Sequence, residues 1–511
     1  MRLRLPKICV AVTGTDAATM LDKAEALVRE NPFLELRLDY LKQPSTAYPR
    51  IRKFVETHTE ATIIATCRRE KNGGKFKGSV PKQLEILLKA AAAGCQIVDI
   101  ELESAQALKP GDLDKLRGRA VLLLSSHDFK HTRKIDETFA AMKPLAADIY
   151  KIVTTATTLH DNVQMMKFLQ ENRDRYSIVG LCMGEQGIIS RVLGIRAGSL
   201  FTFAAASAGE ETGPGQITAQ ELRTTYRIDS LDTATRVYGV AGDPIEHSLS
   251  PIMMNAAFRR EAVNAVFLKL HAKKLADLMS CIPDIPISGI SVTMPYKEEI
   301  IPELEKTDNV STQIGACNTV VRGQDGRLFG FNTDVAGLVG SLEQQVNLQG
   351  AKVLVLGAGG AAKAAVFGIR ARGADVYILN RTPAEAQKLA RKAHAHTIRR
   401  TDLAKMEFDV IINATPVGMG GNGSMPLTDK ELKAKYVFDL VYNPIQTKLL
   451  VTAKAKGLHT ISGVEMFVQQ GAQQFQIWTG KPAPLAEMRA IVLRELESRA
   501  SAVAAGDGKK K

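Results

Sequence analysis

The sequence predicts an α/β protein in two parts, an N-terminal (β/α)8 barrel followed by a second α/β unit with a parallel sheet. The first 228 residues alternate short apolar runs with longer amphipathic stretches, and eight such pairs match a closed barrel. The second part contains AKVLVLGAGGAAKAAVFGI at 351–369, the pattern of a strand, a glycine-rich turn and a helix. With 45% hydrophobic and 24% charged residues, the 511-residue chain has the composition of a globular protein.

The predicted barrel strands are short apolar runs, most of them rich in β-branched residues and apolar on both faces, as buried parallel strands are. They lie at 7–14, 34–39, 61–68, 97–102, 120–128, 148–156, 177–184 and 200–205. Helical segments lie between them, and the one at 81–94 ends at Gly94, a residue type that commonly terminates helices. An open doubly wound sheet is the alternative fold for this half.

Composition and charge limit the class of protein. Six cysteines without a CxxC pair suit a reducing compartment and predict no metal site. The N-terminus has too short an apolar run for a signal peptide, and no apolar stretch approaches a membrane span, so we expect a cytoplasmic protein without membrane contact. The net charge of +13 would suit binding to nucleic acid, but the 5% aromatic content and the lack of a nucleic-acid-binding motif argue against such a partner.

The glycine-rich turn of the second part predicts a dinucleotide site. Its glycines would let the backbone approach a pyrophosphate, and Ala362 would let the helix pack closely. The free N–H groups at the helix N-terminus favour an anion. The predicted contacts are Gly357, Ala358, Gly359, Gly360 and Ala361.

The strand after this helix predicts that the cofactor is NADP. Folds that bind NAD usually place an acidic residue about 20 residues after the glycines, where it binds the ribose hydroxyls. In this chain Asn380 stands there, followed by Arg381 and Thr382. A carboxylate would repel a 2′-phosphate, whereas the Arg381 guanidinium can bind one and stack on adenine.

Ordered motifs run through the second part. They are VYGVAGDPIEHSLSP (237–251), SVTMPYKEEI (291–300), GACNTVV (315–321), GFNTDVAG (330–337), NRT (380–382), NATPVGM (413–419), DLVYNP (439–444) and GVEMFVQQG (463–471). In this order they resemble shikimate dehydrogenase over about 236–498. The resemblance implies reduction of 3-dehydroshikimate to shikimate with NADPH, with Lys297 and Asp334 as the acid–base pair. Such a pair suits the chemistry, because hydride addition to a ketone leaves an alkoxide that needs a proton.

The same resemblance implies residues around the substrate and the cofactor. Ser248 and Ser250 would bind the substrate carboxylate. Two positions depart from the family pattern, since Ser291 replaces an asparagine and Glu385 replaces a second arginine after NRT, for which Lys388 could substitute. Taken singly, these residues also have structural explanations, such as an N-cap for Asp334. The remaining implied contacts are Thr293, Asn318 and Gln470 on ring hydroxyls, Tyr442 lining the cleft, and Thr415 and Gly463 beside the cofactor.

Lys151, in the predicted strand DIYKIVTTA, is the main candidate of the first half. Burial inside the barrel would favour a neutral, nucleophilic amine. Active sites of such barrels lie at the carboxyl ends of the strands. A satisfied rim lysine and a histidine that caps the SSHDF loop are the structural alternatives for Lys151 and His127. The polar residues at these ends are Glu35, Arg37, Arg68, His127, Arg191 and Gln216.

Six motifs of the first half carry a second resemblance, to type I 3-dehydroquinate dehydratase over about 5–226. They are LELRLD, TCRR with the following GG, SSHDF, the Lys151 strand, MGEQGIISR and GPGQ. The resemblance implies that Lys151 forms an iminium with the substrate ketone, and that His127 removes the adjacent proton and then protonates the departing hydroxyl. The iminium makes that proton acidic enough for an imidazole base. It also implies that Arg191 holds the carboxylate, and that the ring hydroxyls are bound by Glu35, Arg37, Arg68 and Gln216.

One position of the barrel departs from the family pattern. Asn72 stands where some relatives place a glutamate close to the catalytic histidine. Without that carboxylate we expect a lower pKa and a looser orientation of His127, and a slower site. Introducing an aspartate at position 72 should then move the pH–rate profile.

The two halves together predict an enzyme that dehydrates 3-dehydroquinate and then reduces 3-dehydroshikimate with NADPH. The alternatives are a quinate or shikimate dehydrogenase that uses NAD, a Schiff-base aldolase, and a catalytically inactive scaffold. We expect small-molecule substrates and leave the oligomeric state open. The predicted boundaries are 1–228 for the barrel, 229–236 for a linker, 237–336 with helices at 463–498 for a substrate-binding subdomain, 337–462 for a Rossmann subdomain and 499–511 for a flexible tail.

Overall fold

The structure is a computed structural model that describes residues 5–421 and 423–507. The chain divides into two compact units. Met1–Thr235 with Leu268–Ile285 form one unit, and Arg236–Phe267 with Pro286–Lys511 form the other. The subdomain boundaries drawn from the sequence stay predictions.

The first unit contains a barrel of eight parallel strands. They are β1 (Ile8–Val12), β2 (Phe33–Arg37), β3 (Thr62–Thr66), β4 (Ile97–Glu101), β5 (Val121–His127), β6 (Ile149–Thr155), β7 (Ile178–Met183) and β8 (Thr202–Ala205). Their order in the sheet is β7-β6-β5-β4-β3-β2-β1-β8, so that β1 pairs with both β2 and β8. The Leu200 N–H, just before β8, donates to the Ile178 carbonyl of β7 at 2.8 Å. This order confirms the predicted barrel, and the open doubly wound alternative is wrong.

Helices connect successive barrel strands, and one more helix follows the last strand. They are α1 (Ala17–Val28), α2 (Tyr48–Thr57), α3 (Val80–Ala92), α4 (Leu102–Ala107), α5 (Pro110–Arg117), α6 (Ile135–Met142), α7 (Leu159–Asn172), α8 (Ile188–Ala197) and α9 (Ala219–Thr224). The helix predicted at 81–94 is α3, which begins after Ser79. A cluster of buried side chains that includes Phe33, Ile64 and Val179 fills the barrel interior.

A mixed sheet with its helices follows the barrel along the chain, and its segment Leu268–Ile285 is grouped with the first unit. Its elements are β9 (Arg236–Gly242), α10 (Ser250–Arg260), β10 (Ala265–His271), α11 (Leu275–Cys281), β11 (Ile287–Val292), β12 (Lys306–Thr307), α12 (Asn309–Ile314), β13 (Thr319–Arg322), β14 (Leu328–Phe331) and α13 (Asp334–Glu343). The strand order is β10-β9-β11-β13-β14-β12. β11 runs parallel to β9 and antiparallel to β13.

A parallel sheet follows along the chain. Its elements are β15 (Lys352–Leu356), α14 (Gly360–Arg370), β16 (Asp375–Leu379), α15 (Pro383–Ala393), β17 (His396–Thr397), β18 (Phe408–Asn413), β19 (Ala434–Asp439), α16 (Lys448–Ala455) and β20 (His459–Ser462). The strand order is β17-β16-β15-β18-β19-β20. The strands β16 and β17 lie on one side of β15 and the later strands lie on the other side, which is the arrangement of a Rossmann fold. In such sheets ligands bind outside the carboxyl ends of the strands at the reversal.

Two C-terminal helices, α17 (Gly463–Thr479) and α18 (Leu485–Asp507), return to the mixed sheet. The Trp478 indole N–H donates to the Val320 carbonyl of β13 at 3.0 Å. Helix α17 also packs closely on α13 at Gly337. A Cβ on Gly337 of α13 would lie only 2.8 Å from the backbone nitrogen of Gln470 on α17, so no larger residue fits there. These contacts hold α17 against the elements that carry the second candidate site.

Candidate active sites

The first site lies inside the barrel, and strand periodicity explains its composition. Phe33, Ile64, Ile97, Leu123 and Ile149 belong to the apolar cluster of the interior. Side chains two positions apart on a strand point to the same face, so the next inward residue of each strand lies nearer its carboxyl end. Those next residues are the polar Glu35, Thr66, Asp99, Ser125 and Lys151, all of which are buried.

Lys151 is paired with a carboxylate in this polar layer. Its Nζ lies 2.9 Å from Asp99 Oδ2, 3.7 Å from Glu35 Oε1 and 3.8 Å from the centre of the Phe203 ring. Thr66 Oγ1 donates to Glu35 Oε1 at 2.7 Å. The predicted lysine therefore lies deep in the barrel rather than at an exposed rim, and it is 3% exposed.

Asp99 is a residue of this site that sequence reasoning missed. Ser125 Oγ donates to Asp99 Oδ1 at 2.6 Å, and Arg68 Nη2 lies 3.2 Å from Asp99 Oδ2. Burial raises the pKa of Asp99, but the positive charges of Lys151 and Arg68 and the hydrogen bonds outweigh it, so that its pKa is lowered. The signal in the sequence was a carboxylate in the middle of the apolar strand IVDIE.

Arg37 is held at the start of the loop that follows β2. Its Nε and Nη2 donate to the two carboxylate oxygens of Asp39 at 2.9 and 2.8 Å. The Lys75 N–H donates to the same carboxylate at 3.0 Å. The predicted hydroxyl ligand Arg37 is thus fixed by a buried, bidentate ion pair.

His127 ends β5 and lies close to Lys151 on the neighbouring strand. Ser125 pairs with Lys151 in the register of β5 and β6, and His127 is two residues further along the same face. Burial lowers the pKa of His127 well below its usual value, and Arg68, Lys151 and Arg37 lower it further. Its Nδ1 is buried without a hydrogen-bond partner among the residues that the structure describes. The neutral imidazole can therefore accept a proton.

The loop of residues 70–74 lies against the histidine through Phe129. The Phe129 ring stacks on His127 with centroids 6.1 Å apart, and a Cβ at Gly73 would lie 2.2 Å from Phe129 Cζ. Asn72 is uncharged, unlike the glutamate that some relatives have at this position. Its Nδ2 donates to Glu103 Oε2 at 2.9 Å. Burial and the charges of Arg68, Lys151 and Arg37 lower the pKa of His127, so the effect expected from Asn72 stays a prediction.

Arg191 provides a buried positive charge near β8. It is 3% exposed and donates to the carbonyls of Phe203 at 3.5 Å and Pro214 at 3.1 Å, with no carboxylate partner in the described chain. Burial lowers its pKa to about 10, so it stays protonated at neutral pH. The predicted Gln216 accepts from the Thr212 N–H at 2.7 Å. A buried guanidinium without a counter-ion suits a carboxylate ligand.

The second site is built around Lys297 and Asp334. Lys297 Nζ lies 2.5 Å from Asp334 Oδ2, and Asn318 Nδ2 donates to Asp334 Oδ1 at 2.8 Å. Asn318 is itself fixed, because its Oδ1 accepts the Thr333 N–H at 2.8 Å. The predicted pair is therefore an ion pair whose carboxylate is oriented by Asn318, with the amide N–H groups of Asn318 already in use.

Gln474 on α17 is a second residue that sequence reasoning missed. Its Nε2 lies 3.1 Å from Ser291 Oγ, the Asn318 carbonyl and Thr319 Oγ1. Ser291, which departs from the family pattern, is thereby bound within the protein. In the sequence Gln474 looks like any polar residue of an amphipathic helix.

The other predicted substrate ligands lie on the elements around this pair. Tyr442 stacks on Phe467 with centroids 4.5 Å apart, and burial raises its pKa. Gln470 Nε2 donates to the Phe467 carbonyl at 2.8 Å. Ser248 Oγ accepts the Ser250 N–H at 3.3 Å, and Thr293 lies against Gly242.

The glycine-rich turn lies beside Lys297. Gly357 has φ +112°, which favours glycine, and a Cβ at Gly359 would meet nothing within 4 Å. A Cβ at Gly360 would lie 3.2 Å from Lys297 Cδ, and Lys363 Nζ of the same helix lies 2.6 Å from Glu298 Oε1. The open turn and the N-terminus of α14 can hold a pyrophosphate next to Lys297.

A cavity of about 760 Å³ lies at the carboxyl ends of the parallel strands. Of the predicted cofactor residues, Asn380, Arg381 and Thr415 line it, whereas the turn of residues 357–361, Thr382 and Gly463 do not. Gly463 lies against the backbone of Leu440, because a Cβ on Gly463 would lie 2.6 Å from the Leu440 carbonyl oxygen. Arg399 and Arg400, which the sequence analysis missed, also line the cavity, so that it suits an adenosine with an extra phosphate.

Comparison with known proteins agrees with this division. Residues 8–233 match the type I 3-dehydroquinase family, and residues 240–320 match the shikimate dehydrogenase substrate binding domain. Residues 341–419 match the shikimate / quinate 5-dehydrogenase family, and 463–493 match the shikimate 5′-dehydrogenase C-terminal domain.

No helix in the described ranges is long and apolar enough to cross a membrane.

Individual relatives cover one half or both halves. Shikimate dehydrogenase (NADP(+)) of Pyrococcus furiosus is 39% identical over 271 residues, which are 53% of this chain and 99% of that protein. The solved shikimate 5-dehydrogenase of Thermus thermophilus, in complex with NADP(H) and shikimate, is 33% identical and covers 51% of this chain and 99% of its own, with a TM-score of 0.48. The chloroplastic bifunctional 3-dehydroquinate dehydratase/shikimate dehydrogenase of Arabidopsis thaliana is 32% identical over 499 residues, 92% of this chain and 82% of that protein. Because this relative spans both halves, the chain belongs to the family of bifunctional 3-dehydroquinate dehydratase/shikimate dehydrogenases.

Proposed function

We propose that the barrel dehydrates 3-dehydroquinate to 3-dehydroshikimate, and that the second unit reduces this product to shikimate with NADPH. The observation that best supports the first step is a buried lysine beside a histidine whose pKa is held low. For the second step it is the Lys297–Asp334 ion pair against the glycine-rich turn. Each arrangement brings a proton-transfer group to a place where a ketone can react.

In the barrel, Lys151 is the nucleophile. Its amine attacks the ketone carbon, and loss of water leaves an iminium that withdraws electrons from the neighbouring C–H bond. The neutral imidazole of His127 takes that proton and then gives it to the departing hydroxyl, which leaves as water. Hydrolysis of the iminium returns the ketone and the free amine. Arg191 binds the substrate carboxylate, and Asp99, which Arg68 also contacts, holds the Lys151 side chain in position between turnovers.

In the second unit, Lys297 is the acid. Bound NADPH supplies a hydride to the ketone carbon. The Lys297 ammonium gives a proton to the developing alkoxide, and Asp334 orients that ammonium and accepts a hydrogen bond from a substrate hydroxyl. Asn318 keeps the Asp334 carboxylate in place from its other oxygen. The turn of residues 357–361 would hold the pyrophosphate of that cofactor, and Arg381 would bind its 2′-phosphate.

One time course tests both steps and their order. Addition of 3-dehydroquinate should produce the ultraviolet absorbance of a conjugated enone, and NADPH added next should be oxidised in proportion to that enone. If the enone forms but NADPH is not consumed, the proposed second step is wrong. If 3-dehydroshikimate alone supports NADPH oxidation and no enone forms, the proposed first step is wrong.

The low pKa of His127 predicts an unusual pH dependence of the first step. An ordinary histidine is half protonated near pH 6.5, but burial keeps this imidazole neutral well below that value. The kcat/KM for 3-dehydroquinate should therefore stay level as pH falls from 8 through 6.5, with its acid limb at lower pH. For the same reason the folded barrel should lose stability below about pH 6.5, where the unfolded chain gains the proton first.

Phe129→Ala provides the structural control for this pH dependence. Removing the stacked ring admits water to His127 and should move the acid limb of kcat/KM upward, toward pH 6.5. His131→Gln, on the exposed part of the same loop, should leave the profile unchanged. A wild-type acid limb at or above pH 6.5 would contradict a neutral buried base.

A further inference from the structure

Three arginines line the cavity at the carboxyl edge of the Rossmann sheet. Arg381 follows β16, and Arg399 and Arg400 follow β17, which pairs with β16 at the edge of that sheet. Because the carboxyl ends of parallel strands lie at one edge, both segments face the same space. The end of the second strand is where such folds bind the ribose of the adenosine.

The three guanidinium groups are held differently. Arg400 is fixed, because its Nε and Nη2 each donate to the Glu431 carboxylate at 2.8 Å, and that carboxylate also accepts the Thr428 N–H at 2.7 Å. Among the described residues the Arg399 side chain donates only to Asp402 Oδ2, at 2.9 Å, and it is 85% exposed. Arg381 forms no ion pair with any residue that the structure describes. Two of the three guanidinium groups are therefore available to a ligand.

We propose that Arg399 is the second cationic ligand, with Arg381, of the 2′-phosphate of NADPH, and that it sets the preference for NADPH over NADH. The inference rests on the proposed function, because only an enzyme that uses this cofactor needs to select that phosphate. Two planar guanidinium groups match the charge and the acceptor oxygens of a phosphate dianion. Asp402 keeps a positive neighbour when Arg399 turns to the phosphate, because Lys405 Nζ lies 3.9 Å from Asp402 Oδ1.

This assignment replaces the one expected from the sequence. Lys388 was the expected substitute for the missing arginine after NRT, but it is exposed on α15 and does not line the cavity. Arg399 lies 18 residues after Arg381 along the chain. It lines the cavity because it follows β17, which pairs with the strand that precedes Arg381. Lys388→Ala therefore provides a control that removes the same charge from the same subdomain.

The test measures binding of adenosine 2′,5′-bisphosphate and of 5′-AMP to the full chain by titration calorimetry. Arg399→Ala and Arg381→Ala should each weaken binding of the bisphosphate by roughly 10- to 100-fold, the range for a charged hydrogen bond. In Arg399→Ala the affinity for 5′-AMP should stay unchanged. Lys388→Ala should bind both nucleotides like the wild type. The ratio of kcat/KM for NADPH to that for NADH should fall by a similar factor in Arg399→Ala.

Three results would overturn the assignment. They are unchanged bisphosphate affinity in Arg399→Ala, an equal loss in Lys388→Ala, and an equal loss of 5′-AMP affinity in Arg399→Ala. The bisphosphate needs no turnover to bind. A chain that fails to reduce 3-dehydroshikimate would therefore contradict the proposed function while the binding result still decides the role of Arg399.

Discussion

Lys151→Arg is expected to abolish enone formation from 3-dehydroquinate, with a loss of kcat of about 10⁴-fold or more, as for removal of other catalytic nucleophiles. Arginine keeps the positive charge and can keep the pairing with Asp99, but its guanidinium cannot form an iminium. Reduction of supplied 3-dehydroshikimate by the same protein should remain, because that reaction uses Lys297. The measurement is the two initial rates on one preparation.

Covalent trapping gives a second, direct measurement of the same assignment. Borohydride added with 3-dehydroquinate should reduce the iminium to a stable amine, and peptide mass spectrometry should locate the adduct on Lys151. Lys130→Ala, an exposed lysine on the loop after β5, should react like the wild type. An adduct on another lysine, or enone formation by Lys151→Arg at the wild-type rate, would show that Lys151 is not the nucleophile.

Lys297→Ala is expected to lower kcat for 3-dehydroshikimate reduction by about 10²- to 10⁴-fold, the usual contribution of a positioned acid. The KM should change far less, because the proton is needed mainly in the transition state. Asp334→Asn should also lower kcat, since it leaves Lys297 without the carboxylate that orients it. Dehydration of 3-dehydroquinate should be unaffected in both variants.

Glu299→Gln is the matched control for this second site. Glu299 is exposed and lies two residues after Lys297, so a general effect of altering this segment would appear there too. Thermal unfolding of each variant should show whether the loss of the Lys297–Asp334 pair has also destabilised the second unit. A folded Lys297→Ala protein with wild-type kcat would exclude Lys297 as the acid.

The reacting residues were accessible to sequence analysis because each lies in a distinctive local pattern. Lys151 interrupts an apolar strand, and Gly357 stands between a clear strand and a clear helix. Lys297 and Asp334 lie 37 residues apart in separate motifs, yet the structure joins them at 2.5 Å. Their roles in catalysis stay predictions until the variants are measured.

The residues that sequence analysis missed act through neighbours that are remote along the chain. Asp99 contacts Lys151 across 52 residues, and Gln474 contacts Ser291 across 183 residues. Gln474 has no local pattern that differs from an ordinary helix position, and Asp99 shows only a carboxylate within an apolar strand. Their importance arises only when the barrel closes, or when α17 returns to the mixed sheet.

The sequence by itself determined the barrel, the Rossmann sheet, and the residues whose chemistry is visible in short motifs. These features depend on local periodicity and on backbone conformations that single residue types favour, so they can be read along the chain. Only the tertiary structure decided which charges meet, that the surroundings of His127 lower its pKa, and that Arg399 rather than Lys388 lines the cavity with Arg381. Burial and Coulomb interactions depend on distances in space, and those distances are set by strand order and helix packing rather than by spacing in sequence.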